Sequence, residues 1–149
     1  MNLGVLTLGC PKNLADMDNF AGIMKSQGHT IVDEIDETDL IIIDTCGFIE
    51  EAKKESIDEI FKAISAKKGK PGLKVVAVGC LVQRYFEEMK SDIPELDGLI
   101  GVTSPLTLAR LIEKGELFYL QAPEGVYGYF NRRASGYSAY VKIGDGCNR

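Results

Sequence analysis

The sequence predicts an α/β domain, doubly wound around a mainly parallel sheet of five strands, with the order 2-1-3-4-5 favoured. Three observations carry that expectation. Apolar runs of strand length alternate with segments of helical period from residue 3 to residue 112. Two of the runs, LIIID (40–44) and LKVVAV (73–78), are apolar on both faces, as parallel strands covered by helices are. Glycine, proline and capping residues punctuate the segments at the places where chains turn. Strands that alternate with helices imply right-handed crossovers and one parallel sheet.

LGVLTL (3–8) is the first strand. The helix expected over 13–27 takes Asn13 as its N-cap and Asp16 in its first turn, and Leu14, Met17, Ala21 and Met24 share one face. Gly28 supplies the left-handed residue that ends it. HTIV (29–32) reads as a short strand and LIIID (40–44) as a stronger one.

Residues 49–67 give the clearest helical pattern, through Ile57, Ile60, Phe61 and Ile64. Glu50 and Glu51 near its start and Lys67 and Lys68 near its end suit the helix dipole. Gly69 and Pro71-Gly72 mark the exit loop, and the strand 73–78 follows. A helix over 82–90 precedes a last strand, GLIGV (98–102). Ser104-Pro105 then forms an N-cap with proline at the first helical position. Leu106, Ala109, Leu111 and Ile112 are the apolar side of that helix, and Gly115 stops it. The whole pattern is flavodoxin-like or Rossmann-like.

This domain is expected to fill residues 1–122. Residues 123–136, rich in Gly and Tyr with the pair Arg132-Arg133, read as a linker. YSAYVKI (137–143) is strand-like, with no helix after it, so 137–149 reads as the opening of a second domain.

The chain has 149 residues, of which 45% are hydrophobic and 26% charged, and its net charge is −5. That composition is ordinary and globular. The acidic balance speaks against nucleic acid as a partner of this domain, since phosphate contacts need Lys and Arg, and suits a basic protein. No apolar stretch approaches the ~20 residues of a membrane helix. TLGC faintly resembles a lipidation signal, but no Lys or Arg precedes it, the apolar run is short, and Thr7 stands where a large aliphatic is expected. The expected location is the cytoplasm, where four cysteines are more often thiols or metal ligands than disulfides.

Three strong strands finish alike, in LTLGC, IIDTC and AVGC. Cys10, Cys46 and Cys80 each sit just past the carboxyl end of a strand, the edge where open α/β sheets bind ligands. In the expected order these strands are neighbours, ~4.8 Å apart, so inward-bending loops could bring three thiols to one centre. Gly9, Gly47 and Gly79 flank them and would permit unusual backbone angles and the close approach of a bulky group. One cysteine at a strand end carries no message, because cysteine packs as a small hydrophobe. Three at matching positions point to a shared site.

What three thiolates hold is not fixed by spacing. Zinc sites favour four ligands and local C-x₂-C pairs, which are absent. His29, the only histidine, reads as a surface residue. Iron–sulfur clusters take cysteine thiolates, commonly about four, so three would leave one iron open. A redox dithiol lacks its C-x-x-C, and a nucleotide or flavin site lacks a G-x-G-x-x-G after the first strand. A flavodoxin-like module that only binds partners, with incidental thiols, is the rival of another class.

LGCPKN with Cys10, DTCGFIEEAKKESID with Cys46, VGCLVQRY with Cys80 and the ending YVKIGDGCNR together resemble the amino-terminal region of the radical S-adenosylmethionine methylthiotransferases. The resemblance covers nearly the whole chain. It implies that Cys10, Cys46 and Cys80 ligate an auxiliary [4Fe–4S] cluster with one open iron that binds or presents sulfur. It also implies that Cys147 is the first cysteine of a C-x₃-C-x₂-C motif for a second [4Fe–4S] cluster, which cleaves S-adenosylmethionine to a radical. The other two cysteines of that motif fall beyond Arg149, so this chain alone is expected to be inactive.

Pro11 and Lys12 after Cys10, and Asp44 before Thr45-Cys46, are closer to the branch that modifies a protein than to the transfer-RNA branches, which are the alternative. The implied substrate is small-subunit ribosomal protein number twelve. The implied reaction abstracts hydrogen from the β-carbon of one of its aspartates, inserts sulfur and methylates it. No catalytic residue is assigned within the chain itself. Weaker candidates have simpler roles: Asn13 as a cap, Thr45 in a turn, Arg84 on a solvated helix face, and Tyr127, Tyr129, Arg132 and Arg133 in a docked linker.

Overall fold

The computed structural model describes residues 1–121. The elements run β1 (Asn2–Thr7), α1 (Pro11–Ser26), β2 (Thr30–Ile31), a 3₁₀ turn (Ile35–Glu37), β3 (Leu40–Thr45), α2 (Glu50–Ala66), β4 (Lys74–Gly79), α3 (Cys80–Asp92), β5 (Gly98–Ile100), α4 (Pro105–Lys114) and β6 (Phe118–Tyr119). All six strands pair in parallel, in the order β2-β1-β3-β4-β5-β6. The α/β class and the order 2-1-3-4-5 are as the sequence predicts. The sixth strand extends the expected five: Phe118 and Tyr119 pair with Leu99 and Ile100.

The centre of the sheet explains the apolar runs. All six residues of β3 are buried, and Val75, Val76, Ala77 and Val78 of β4 are buried beside them. Alternate residues serve opposite faces. Ile42, Val76 and Ile100 pack with Phe20 and Met24 of α1 and with Leu108 and Ile112 of α4. Ile41, Ile43, Val75 and Leu99 pack with Ile60 and Ala63 of α2 and with Val82, Phe86 and Met89 of α3. The helices are thus split two and two across the sheet.

Ser104 caps α4 as expected, accepting a hydrogen bond from the Thr107 amide, and Gly28 and Gly115 take left-handed conformations behind α1 and α4. The start of α1 differs. The helix begins at Pro11, with Cys10 in the capping position and no side-chain cap, so Asn13 is not an N-cap but lies within the first turn and is buried. Proline at the first helical position sets this start, because its fixed φ suits the helix and its missing N–H needs no partner. Asp16 falls outside the first turn and pairs with Lys12 four residues back, at 2.9 Å. On that helix Met17, Ala21 and Met24 are buried, whereas Leu14 is exposed. Phe61 of α2 is exposed as well, while Ile60 beside it is buried.

His29 is partly enclosed rather than simply solvated. Its ring bonds to Glu113 of α4 and to the amino group of Met1. Among the described residues no helix is long and apolar enough to cross a membrane. Residues 123–136 and 137–149, with Tyr127, Tyr129, Arg132, Arg133 and Cys147, lie outside the described residues.

Candidate metal centre

Cys10, Cys46 and Cys80 all stand at the carboxyl edge, past the ends of β1, β3 and β4, which are neighbours in the sheet. Each thiol is free; Cys10 and Cys80 are exposed and Cys46 is half-buried. Burial of its surroundings pushes the Cys80 thiol above its ordinary pKa; Lys12 pulls it down, and Asp44, Cys46 and Cys10 add further upward pushes. The three cysteines therefore share one electrostatic neighbourhood. Among the described residues no three His, Cys, Asp or Glu side chains close around a single metal ion. The donors present are three separated soft thiols at an open edge, a set that fits a multi-iron cluster better than one small cation.

A different device holds each cysteine. At Cys10, the thiol lies 3.5 Å from Asn13 Oδ1, and Asn13 Nδ2 donates to Asp44 Oδ1 at 3.2 Å. The buried amide of Asn13 thus bridges the first cysteine to the end of β3. Asp44 is 3% exposed, and its Oδ2 has no hydrogen-bond partner among the described residues. Burial pushes its pKa up from 3.8 to about 7, against the Asn13 hydrogen bond and the Lys12 charge, which lower it, and with the Asp16 charge, which raises it. A small pocket of about 30 Å³, lined by Lys12, Asn13, Asp44, Gly79 and Cys80 among others, lies here.

At Cys46, the backbone N–H donates to Ser56 Oγ at 3.2 Å, and Ser56 Oγ lies 3.5 Å from the Cys46 carbonyl. Ser56 is fully buried on α2, so that helix fixes the cysteine's main chain. The next residue, Gly47, rests on the first turn of α3, where an added Cβ would meet Leu81 Cα and N at 3.0 Å. Arg84 Nη1 donates to the Gly47 carbonyl at 3.2 Å, so Arg84 clamps the Cys46 loop to α3 in addition to facing solvent.

At Cys80, the preceding Gly79 has φ +100°, and a Cβ there would lie 2.6 Å from Asp44 Oδ1. That turn lets α3 begin directly from β4, with Cys80 as its first residue. Thr45 Oγ1 donates to the Val78 carbonyl at 2.6 Å, so its role is to tie β3 to β4. Close approach at the flanking glycines is thus made by protein: α3 at Gly47, and the carboxylate of Asp44 at Gly79.

Ser56 was not distinguishable by sequence reasoning, although a small polar residue on the apolar side of a helix is a signal of buried hydrogen bonding. The tertiary partners of Asn13 and Arg84 lie 31 and 37 residues away and leave no local trace.

Residues 2–101 match the family described as Uncharacterized protein family UPF0004. The whole chain is 49% identical, over 152 aligned residues, to the ribosomal protein uS12 methylthiotransferase RimO of Thermotoga sp. (strain RQ2), covering 35% of that protein. It is 50% identical to the protein of the same name from Petrotoga mobilis, over 97% of this chain and 34% of the relative. The match to the Thermotoga maritima protein of that name is 49%, again over the whole chain and 35% of the relative. The chain thus spans about a third of the length of these curated relatives.

Proposed function

The chain belongs to the UPF0004 family, and from that premise we propose that it is the amino-terminal, cluster-holding part of a radical S-adenosylmethionine methylthiotransferase. Its substrate is ribosomal protein uS12, modified at the β-carbon of an aspartate. The observation that carries this reading is the placement of Cys10, Cys46 and Cys80 past the ends of three adjacent strands. The name shared by the relatives supports the substrate.

On this reading residues 1–122 are the cluster domain, 123–136 the linker and 137–149 the opening of the radical core. Cys10, Cys46 and Cys80 hold the auxiliary [4Fe–4S] cluster, and Cys147 is the first ligand of the second, where S-adenosylmethionine binds. The auxiliary cluster, when bound, supplies an iron open to a sulfur-bearing ligand.

The chain's own residues prepare the site. Ligation requires thiolates. Burial opposes deprotonation at Cys80, and Lys12 favours it. Asn13 orients Cys10, Ser56 holds the main chain of Cys46, and the positive-φ turn at Gly79 aims the start of α3. Arg84 keeps the second and third cysteine segments in register.

The test uses the full-length protein, reconstituted without oxygen and supplied with S-adenosylmethionine, sulfide and a low-potential reductant. Purified small ribosomal subunits and transfer RNA are offered separately. A methylthio mass increment on the uS12 aspartate peptide is expected. An increment confined to transfer RNA would overturn the substrate assignment.

A further inference from the structure

β1 is the second strand of the sheet, a position where a parallel strand is ordinarily buried on both faces. Its neighbour β3 is buried at all six residues, yet Gly4, Val5, Leu6 and Thr7 of β1 are each only partly buried. Two features cause this. First, β2 has two residues and pairs only with Asn2 and Leu3, so the outer edge of β1 from Gly4 onward has no strand beside it among the described residues. Second, the connection from β2 to β3 carries only the three-residue 3₁₀ turn. Parallel crossovers usually run to about a dozen residues or more and include a helix that covers the sheet.

The consequence is a groove of about 310 Å³ between α2 and residues 32–38. Its floor is apolar: Gly4 and Leu6 of β1, Ile41 and Ile43 of β3. Ile35, 45% exposed, stands at its mouth. Its outer rim is acidic. Asp33 lines the groove, and Glu34, Asp36 and Glu37 follow on the same connection, all of them exposed; Asp39, just before β3, accepts from the Asn2 amide at 2.7 Å. Lys70 reaches this stretch at the Asp36 carbonyl oxygen, at 2.6 Å. On the opposite wall Lys62 is paired with Glu59.

We propose that this groove receives an extended, basic segment of a protein partner, laid over β1 and β3 on the α2 side of the sheet. Alternate side chains of an extended segment point to opposite sides, so one set meets the floor of the groove and the other its rim. Here one set of side chains lies on the apolar floor, and the other, turned outward, sets Lys or Arg against Glu34, Asp36 and Glu37. Charge selects the occupant. A second copy of this chain, with its net charge of −5, would bring like charge to the same rim. The inference does not depend on the cysteines, so it stands or falls apart from the cluster reading.

The test follows backbone amide resonances of the isotope-labelled chain during titration with peptides of roughly six residues. One peptide alternates Lys and Val, a second Glu and Val, a third Lys and Gly. The Lys-Val peptide is expected to shift the amides of Gly4–Thr7 and Val32 saturably, and the Glu-Val peptide to leave them unmoved. Binding of Lys-Val is expected to weaken by about tenfold or more in the Glu34→Lys/Glu37→Lys variant and in Ile35→Asp. All three substitutions are at exposed positions, and the wild-type peptide series needs no variant. Equal shifts from Lys-Val and Lys-Gly, unchanged binding in both variants, or shifts at these amides that follow protein concentration alone (a second copy) would each overturn the proposal.

Discussion

Asn13 Nδ2 donates to Asp44 Oδ1 at 3.2 Å, joining the first turn of α1 to the end of β3 inside the protein. The other carboxyl oxygen, Oδ2, has no hydrogen-bond partner among the described residues. Asn13→Ala removes the bond to Oδ1 and leaves both carboxyl oxygens without partners. The expected loss of stability is about 1–3 kcal/mol, the cost of an unsatisfied buried group. Urea denaturation of the metal-free chain measures it. A double-mutant cycle with Asp44→Ala should show coupling between the two positions, and additive losses would count against the link.

The same carboxyl makes the metal-free chain sensitive to pH. Asp44 titrates near 3.8 when unfolded and near 7 when folded, chiefly because it is buried. Between those values the folded chain holds a proton that the unfolded chain has released. The stability linked to this group is therefore full below about pH 4 and falls as pH rises toward 7, by a few kcal/mol in order of magnitude. Asp44→Asn should flatten the decline. Urea midpoints at several pH values test this, and parallel curves for variant and wild type would refute it.

Gly79→Ala places a side chain on a residue with φ +100° and against Asp44 Oδ1. With ψ −154° that backbone lies in a region open essentially to glycine alone and costs a side chain about 1–3 kcal/mol, and the contact adds to it. A lowered thermal midpoint is expected, together with altered alkylation of Cys80. A variant as stable as wild type would mean that the turn tolerates a side chain.

Arg84→Ala frees the Gly47 carbonyl. Arg84 is exposed, so the global loss is expected to stay under about 1 kcal/mol. The local effect should be larger: Cys46, half-buried in the wild type, should react faster with iodoacetamide. Arg84→Lys should restore the slow rate only in part, because an ammonium lacks the planar fork of a guanidinium. Unchanged alkylation of Cys46 in Arg84→Ala would show that the clamp does not hold the loop.

The sheet was legible because its central strands are buried on both faces, so their sequences are continuous apolar runs. β6 was not, since Phe118 and Tyr119 form a two-residue edge strand with Phe118 half in solvent. At α1 the cap expected at Asn13 gives way to a start at Pro11. Proline sets that start through its fixed φ, and the asparagine amide, one turn in, takes a buried partner in Asp44 that no local pattern announces. The three cysteines were legible as matching strand ends. The groups that hold them in place were not, since Ser56 and Arg84 act only once α2 and α3 pack against the loop after β3.

Cluster uptake by the chain itself is the most direct test of the account. Wild type, Cys10→Ala, Cys46→Ala, Cys80→Ala and Cys147→Ala are reconstituted anaerobically with iron and sulfide, and both are counted per chain. Wild type and Cys147→Ala are expected to take up about four of each, and each of the other three variants much less. Uptake that is lost in Cys147→Ala, or equal in all five proteins, would contradict the assignment of Cys10, Cys46 and Cys80 as one site.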